Sequence, residues 1–401
     1  GQSGGGRGLS RRGLLTVAAG GGVVLVGGGA AWWWRRGRES VDPAFRIPAA
    51  VRTPKATLLD PDAGDILVGT HNRDGKGLQP LWTVPGLNST TSPPPLPIRD
   101  VIVFGASGGG LTALDVVNGK KRWSAPDVSA PGRYVSLSDR LVAAVGPGGK
   151  LVTFVPSTGE PKWTAPAGAR SVLGADADAV YVVTTDDRIR AVDRSDATIR
   201  WTAPSSVKLG TEVPPRGRTA PGRLVVCAAD GTILGVDTRT GREVWKFSVA
   251  EAIVQEPAIQ GDRVYIGAAD LTAHRISDGT RIWATESQKD YEGKRETWSP
   301  PTVSGGSVFA MRGGTAQRYD ARKGTPLWDQ AAMGDARSPV LLQGTCAWII
   351  DDAVETVEAL DMEEGRTYVS CDLDGDVLGF RADGNRVFVM TDVGLTALPV
   401  L

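Results

Sequence analysis

One short pattern, ending in tryptophan, governs what this chain can become. The stretch "GVDTRTGREVW" (residues 235–245) returns as "ALDVVNGKKRW" to Trp123, "TFVPSTGEPKW" to Trp163 and "AVDRSDATIRW" to Trp201. It returns again as "AHRISDGTRIW" to Trp283 and "RYDARKGTPLW" to Trp328, and a degenerate copy, "HNRDGKGLQPLW", ends at Trp82. Successive tryptophans stand 41, 40, 38, 44, 38 and 45 residues apart. A period of roughly 40 residues is that of solenoids and propellers.

One unit, residues 261–287, shows what repeats. "RVYIG" alternates as a strand should, "LTAHRI" predicts a second strand and "TRIWAT" a third, and the short "QEPAIQ" before them predicts an innermost one. Four strands of about five residues, with their turns, fill such a period. A lone four-stranded sheet cannot bury both faces, whereas copies arranged around an axis can. In the spacing D-x-x-x-G-x-x-x-W, Asp115, Asp237 and Asp320 are placed to accept backbone N–H groups of the turn. Gly119, Gly159, Gly241, Gly279 and Gly324 supply a residue of positive φ. The tryptophan then falls on the outer strand, where it can wedge against the next blade. Ala197 replaces the glycine once, and Val155 and Arg275 replace the aspartate.

The units resemble the pyrroloquinoline-quinone-type (PQQ-like) propeller repeat, A-x-D-x-x-T-G-x-x-x-W, to which "ILGVDTRTGREVW" is close. The resemblance covers residues 59–401 and implies an all-β propeller of four-stranded antiparallel blades. Full units end at Trp123, Trp163, Trp201, Trp245, Trp283 and Trp328, and a seventh has Val369, beside Tyr368, at the tryptophan position. The chain then supplies two strands, "NRVFVMT" and "GLTALPV", and the N-terminal "LQPLWTV" around Trp82 completes their sheet. Pairing the two ends removes the open edge and predicts eight blades; seven is the alternative if the ends do not pair.

The N-terminus has another character. The run from 13 to 34 carries no charge and is long enough to span a bilayer. Ser10, Arg11, Arg12, Leu14 and Leu15 resemble a twin-arginine export signal, an address read by a receptor. Residues 1–35 are therefore expected to form a signal or anchor helix. "WWWRR" at its end favours an uncleaved anchor at the membrane interface; Gly29-Ala30-Ala31 offers cleavage and secretion as the alternative. Residues 36–58, rich in proline and charge, are expected to be a linker. The expected location is the membrane, with the propeller on the extracytoplasmic side.

Composition excludes some partners. The 45 basic and 45 acidic residues cancel, which gives no basic stripe for nucleic acid. Catalytic groupings are also poorly represented. Of two histidines, His274 lies inside a repeat strand and is expected to be structural, and His71 has no nucleophile motif beside it. The three cysteines, Cys227, Cys346 and Cys371, show no C-x-x-C spacing. Cys346 and Cys371 fall two strands apart, about 9–10 Å, too far for a disulfide. "GASGGGL" (105–111) lacks the helix and the Lys-Ser/Thr of a phosphate loop, and "DLDGD" (372–376) is followed by Val377 where a calcium loop needs glycine and Asp383 where it needs glutamate. No metal and no cofactor is expected. The quinone-dependent dehydrogenases of the family have long insertions and adjacent cysteines, and neither occurs here.

A site remains conceivable on the propeller axis. Innermost strands begin near "TTSPPP", "GTEVPP", "VQEPAI", "TWSPPT" and "ARSPVL". These starts place Ser92, Glu212, Glu256, Trp298, Ser299, Arg337 and Ser338 near one channel mouth, as a site for a small polar ligand or a peptide. The expected function is a non-enzymatic ligand-sensing or protein-interaction module tethered to the membrane. Chains of similar layout form the extracytoplasmic half of bacterial membrane serine/threonine kinases; that resemblance would put the kinase before Gly1, since no kinase motif lies within these residues. The alternative is an exported scaffold resembling the propeller lipoprotein of outer-membrane protein assembly. A quinone-dependent dehydrogenase is the third reading.

Overall fold

A computed structural model describes residues 43–58, 78–86, 93–128, 134–210, 213–250, 256–331, 338–351, 356–383 and 386–401. The chain divides into two units, residues 1–47 and 48–401. Of the first, the described part is 43–47, with a 3-10 turn at Pro43–Phe45. Among the described residues no helix is long and apolar enough to cross a membrane. The expected anchor and the export residues Ser10, Arg11, Arg12, Leu14 and Leu15 lie outside them.

The second unit is eight four-stranded antiparallel sheets. Each blade is named here by its strands, innermost first. Blade 1 is Leu96–Ile98, Val101–Gly105, Leu111–Asp115 and Lys121–Ala125, and blade 2 is Val135–Leu137, Leu141–Val145, Leu151–Phe154 and Pro161–Ala165. Blade 3 is Ala169–Ala175, Ala179–Thr184, Arg188–Asp193 and Ile199–Pro204; blade 4 is Arg216–Ala220, Arg223–Cys227, Thr232–Asp237 and Glu243–Ser248. Blade 5 is Ala258–Gln260, Arg263–Gly267, Leu271–Arg275 and Arg281–Ala284, and blade 6 is Thr302–Ser304, Ser307–Arg312, Thr315–Asp320 and Pro326–Ala331. Blade 7 is Leu341–Gln343, Cys346–Asp351, Thr356–Asp361 and Thr367–Asp372.

Blade 8 joins the two ends of the domain. Val377–Asp383, Arg386–Thr391 and Gly394–Leu398 are followed by Trp82–Pro85 as the outer strand, in the register Trp82↔Ala397 to Pro85↔Gly394. The C-terminal part thus contributes three strands, one more than its sequence pattern suggests, and the N-terminal strand is the fourth. The innermost strands of neighbouring blades touch all round the ring, that of blade 8 meeting that of blade 1. Eight blades therefore close the ring.

The core is split among the seams between blades, because each sheet has two faces to cover. Blades 4 and 5 bury Val225, Ile233, Trp245, Val264 and Ile266 together; blades 7 and 8 bury Trp348, Val357, Phe380 and Val389. Second strands, covered on both faces, are continuous apolar runs, as in the fully buried Leu141–Val145. The segment 48–58, expected to be a linker, lies along the ring. Arg140 donates to the Pro48 carbonyl, Arg99 to Thr53 Oγ1 and Arg386 to Thr57 Oγ1, and Leu58 forms a parallel bridge with Val400.

The repeated turn has one geometry throughout. Asp115 Oδ1 accepts from the N–H groups of Val117 and Asn118, Asp237 Oδ1 from Arg239 and Thr240, and Asp320 Oδ1 from Arg322 and Lys323. Gly119, Gly159, Gly241, Gly279 and Gly324 have φ of 68°, 70°, 74°, 74° and 69°. The indole of the preceding blade lies against this turn. Its Nε1 donates to the carbonyl just past the aspartate position: Trp82 to Val116, Trp123 to Pro156, Trp201 to Thr238, Trp245 to Ile276, Trp283 to Ala321 and Trp328 to Met362. Trp163 faces the blade in which Ala197 stands for glycine, and its buried Nε1 has no partner among the described residues.

Candidate functional site: the channel mouth

In blades 1, 4, 5, 6 and 7 a proline stands one or two residues ahead of the innermost strand, where it supplies no N–H to a ladder and fixes the chain direction. Their entries converge on a cavity of about 460 Å³ lined from every blade except blade 3. Its apolar wall is Pro93, Pro94, Pro95, Pro300, Pro301 and Pro339 with Leu96 and Leu341. Its polar groups are Arg216 and Arg218 of blade 4, Glu256 ahead of blade 5, Arg381 of blade 8, and Tyr134 and Ser136 of blade 2. The Tyr134 hydroxyl lies 3.0 Å from the Pro93 carbonyl and 3.2 Å from that of Pro94, so it ties two neighbouring entries together.

Arg216 and Arg218 alternate along one strand, with the fully covered Gly217 between them facing the Leu173 backbone of blade 3. A strand places i and i+2 on the same face, which is how both guanidiniums reach the cavity. Glu256 Oε2 stands 3.6 Å from Arg381 Nη2, each side chain about one-third exposed. Blades 5 and 8 are not neighbours, so this ion pair spans the cavity.

The expected mouth residues separate in the structure. Glu256 lines the cavity, and Ser338 directly precedes the lining residue Pro339. Ser92, Glu212 and Arg337 lie outside the described residues. Trp298 and Ser299 are fully buried in the seam between blades 5 and 6. There Arg312 covers the Trp298 ring at 4.8 Å, Tyr319 meets it edge-on at 5.6 Å, and Ser299 Oγ accepts from the Met311 N–H at 2.9 Å. The three arginines were not anticipated. "PRGRT" carries a readable signal, two arginines at strand spacing, whereas Arg381 sits on the blade 8 strand that the sequence did not reveal.

The chemistry of these groups bears on the quinone that the repeat family is named for. Glu256 is the only carboxylate among the described residues lining the cavity, and it already faces Arg381. The cysteines are separate and buried: Cys227 in blade 4, Cys346 and Cys371 on the second and fourth strands of blade 7. Burial pushes the Cys371 thiol up to about 12, so it is no nucleophile. Among the described residues no three His, Cys, Asp or Glu side chains come together to hold a metal. These residues do not fit a metal-assisted quinone site, and no step is derived through one. His274 is buried, stacked on Phe247 at 3.9 Å, with Nδ1 3.0 Å from the Gly279 carbonyl; His71 lies outside the described residues.

Comparison with known proteins follows the same lines. The family model described as outer membrane protein assembly factor BamB matches residues 127–221 and 174–370, together more than half of the chain. The assembly factor BamB of Pseudomonas aeruginosa is 24% identical over 242 residues, 60% of this chain and 54% of that protein. The quinohemoprotein alcohol dehydrogenase of Comamonas testosteroni is 25% identical over 177 residues, 38% of this chain and 24% of that enzyme. The chain thus spans about half the length of the assembly factor and a quarter of the enzyme. The crystal structure of BamB from Moraxella catarrhalis has the same fold, with a TM-score of 0.60 and 16% identity, over 81% of this chain and 98% of that one.

Proposed function

Because the chain belongs to the PQQ-like repeat β-propeller family whose model is described as outer membrane protein assembly factor BamB, we propose that it is a non-enzymatic, protein-binding scaffold of the cell envelope. Residues 13–34 tether it to the membrane, with the ring on the extracytoplasmic side. The observation that carries this reading is the family match across blades 2 to 6 and most of blade 7. Such a ring offers loops and rims to a partner and encloses no catalytic grouping among its described residues.

Tyr291 gives the test a handle. It is 96% exposed, at the tip of a small hairpin between blades 5 and 6. Photo-crosslinking from position 291, and separately from Val117 and Val393 on other loops, in intact source cells should capture a discrete envelope protein from at least one position. Absence of any adduct from all three, or a propeller resistant to external protease in cells whose outer layers are opened, would refute the reading.

A second reading, a ligand-sensing module, is favoured by the charged channel mouth. In that arrangement the ring is the sensor half of a membrane serine/threonine kinase. The gene sequence upstream of Gly1 decides it: a kinase domain in frame supports the arrangement, and its absence removes it.

A further inference from the structure

We propose that the channel mouth is a binding site for a small polyanion, a compact molecule carrying two or more carboxylate or phosphate groups. This inference does not depend on the protein-binding reading, because it concerns the axis of the ring rather than its loops. Among the described residues, Arg216, Arg218 and Arg381 face one cavity against a single carboxylate, Glu256. The described lining is therefore cationic although the whole chain is neutral, with 45 basic and 45 acidic residues. The guanidinium fork matches carboxylate and phosphate oxygens two at a time. Cavities of about 300–1,000 Å³ hold small ligands, and this one, about 460 Å³, falls among them.

The wall narrows the class further. Proline rings and two leucines make a stiff apolar collar, and no tryptophan is among its described residues. The aromatic ring among the described lining residues, Tyr134, is buried with its hydroxyl on the Pro93 and Pro94 carbonyls, which leaves a broad planar ligand little face to stack upon. A compact anion needs only the arginines and the collar, which lowers the local dielectric and strengthens the attraction. Arg218 is exposed at the cavity and has no ion pair among the described residues. Arg381 is shared: it faces Glu256 at 3.6 Å across the cavity. An incoming anion therefore competes with Glu256 for Arg381. This competition gives the site an internal gate set by the protein's own carboxylate.

Opposite signs for two variants test the proposal. Citrate and pyrophosphate, titrated separately into the purified full chain at low ionic strength, should each bind with a dissociation constant below about 1 mM, measured by calorimetry. Their ratio separates a carboxylate ligand from a phosphate one. Arg218→Ala should weaken binding about tenfold, through loss of one charge-assisted fork. Glu256→Gln, which removes the competitor while keeping its shape, should strengthen binding about three- to tenfold. Arg366→Ala, on an exposed turn residue away from the cavity, should change nothing. Failure of both probes to bind better than about 10 mM, or binding that neither cavity variant alters while melting curves show both folded, overturns the proposal.

Discussion

At the scale of the residue, Gly241 and Trp201 show how a blade seam is made. Gly241 has φ +74°, and a Cβ there would come within 2.5 Å of the Trp201 ring. Two constraints coincide: left-handed backbone and an indole pressed flat on the turn. Gly241→Ala should cost about 2–4 kcal/mol, the sum of left-handed strain and overpacking, seen as a lower urea midpoint. Trp245→Ala should cost about 3–5 kcal/mol, because it opens a cavity and leaves the Ile276 carbonyl without its donor. Ala197 is the exception, at φ 60°. Ala197→Gly should raise stability by about 0.5–1 kcal/mol, since relief of left-handed strain exceeds the added unfolded-state entropy. His274 adds a pH dependence. Burial holds its pKa below the ordinary 6.5, only partly offset by the Gly279 carbonyl. The unfolded chain then binds the proton more tightly, so stability falls as pH drops through the unfolded value and levels off below the folded one. Urea midpoints should fall between about pH 7.5 and pH 5.5, and by less in His274→Gln.

At the scale of the element, the outer strand Trp82–Pro85 closes the ring with four residues. Its backbone pairs with Gly394–Leu398, Thr83 and Thr396 hydroxyls meet at 3.1 Å, and Trp82 packs at 6.1 Å from Phe388. Without it, blade 8 would present an unpaired edge to other chains. A chain starting at residue 87 should melt earlier and associate with rising concentration in size-exclusion runs. A chain starting at residue 59 keeps that strand and, of the second unit, loses only the 48–58 strap; it should stay monomeric, with a smaller drop. An equally stable monomer from both would show that the closing strand is dispensable. The other strand of blade 8 that the pattern missed, Val377–Asp383, explains itself: only Phe380 among its residues is fully buried. An innermost strand that faces a wet channel lacks the alternation that marks a strand in sequence.

At the scale of the whole molecule, where the chain resides and what its ring encloses set what the protein can do. If export follows the twin-arginine route, Arg11→Lys together with Arg12→Lys should retain the propeller on the cytoplasmic side. Unchanged protease accessibility in intact cells would leave a plain anchor. The ring itself should show no dye-linked oxidation of alcohols or sugars with quinone and calcium supplied. A dehydrogenase must hold a metal and a base against its cofactor, and the one carboxylate among the described lining residues faces an arginine across the cavity. Stoichiometric quinone binding with turnover lost in Glu256→Gln would reverse that conclusion.

The repeat by itself determined the propeller and its seam residues, and it suggested the pairing of its ends with seven blades left open beside eight. These features are local or periodic: a turn of fixed spacing, a tryptophan at fixed distance, and a strand left over at each terminus. Tertiary structure alone decided what the axis carries. Trp298 and Glu256 both stand near the start of an innermost strand, yet Trp298 turns into a seam and Glu256 into the channel. Short entry segments have no periodicity to say which way a side chain faces. Arg216, Arg218 and Arg381 meet because blades 4 and 8 share one axis, and Arg381 reaches Glu256 because the ring is narrow enough for an ion pair to cross it. Closure of the ring creates that proximity, and no stretch of sequence shorter than the ring contains it.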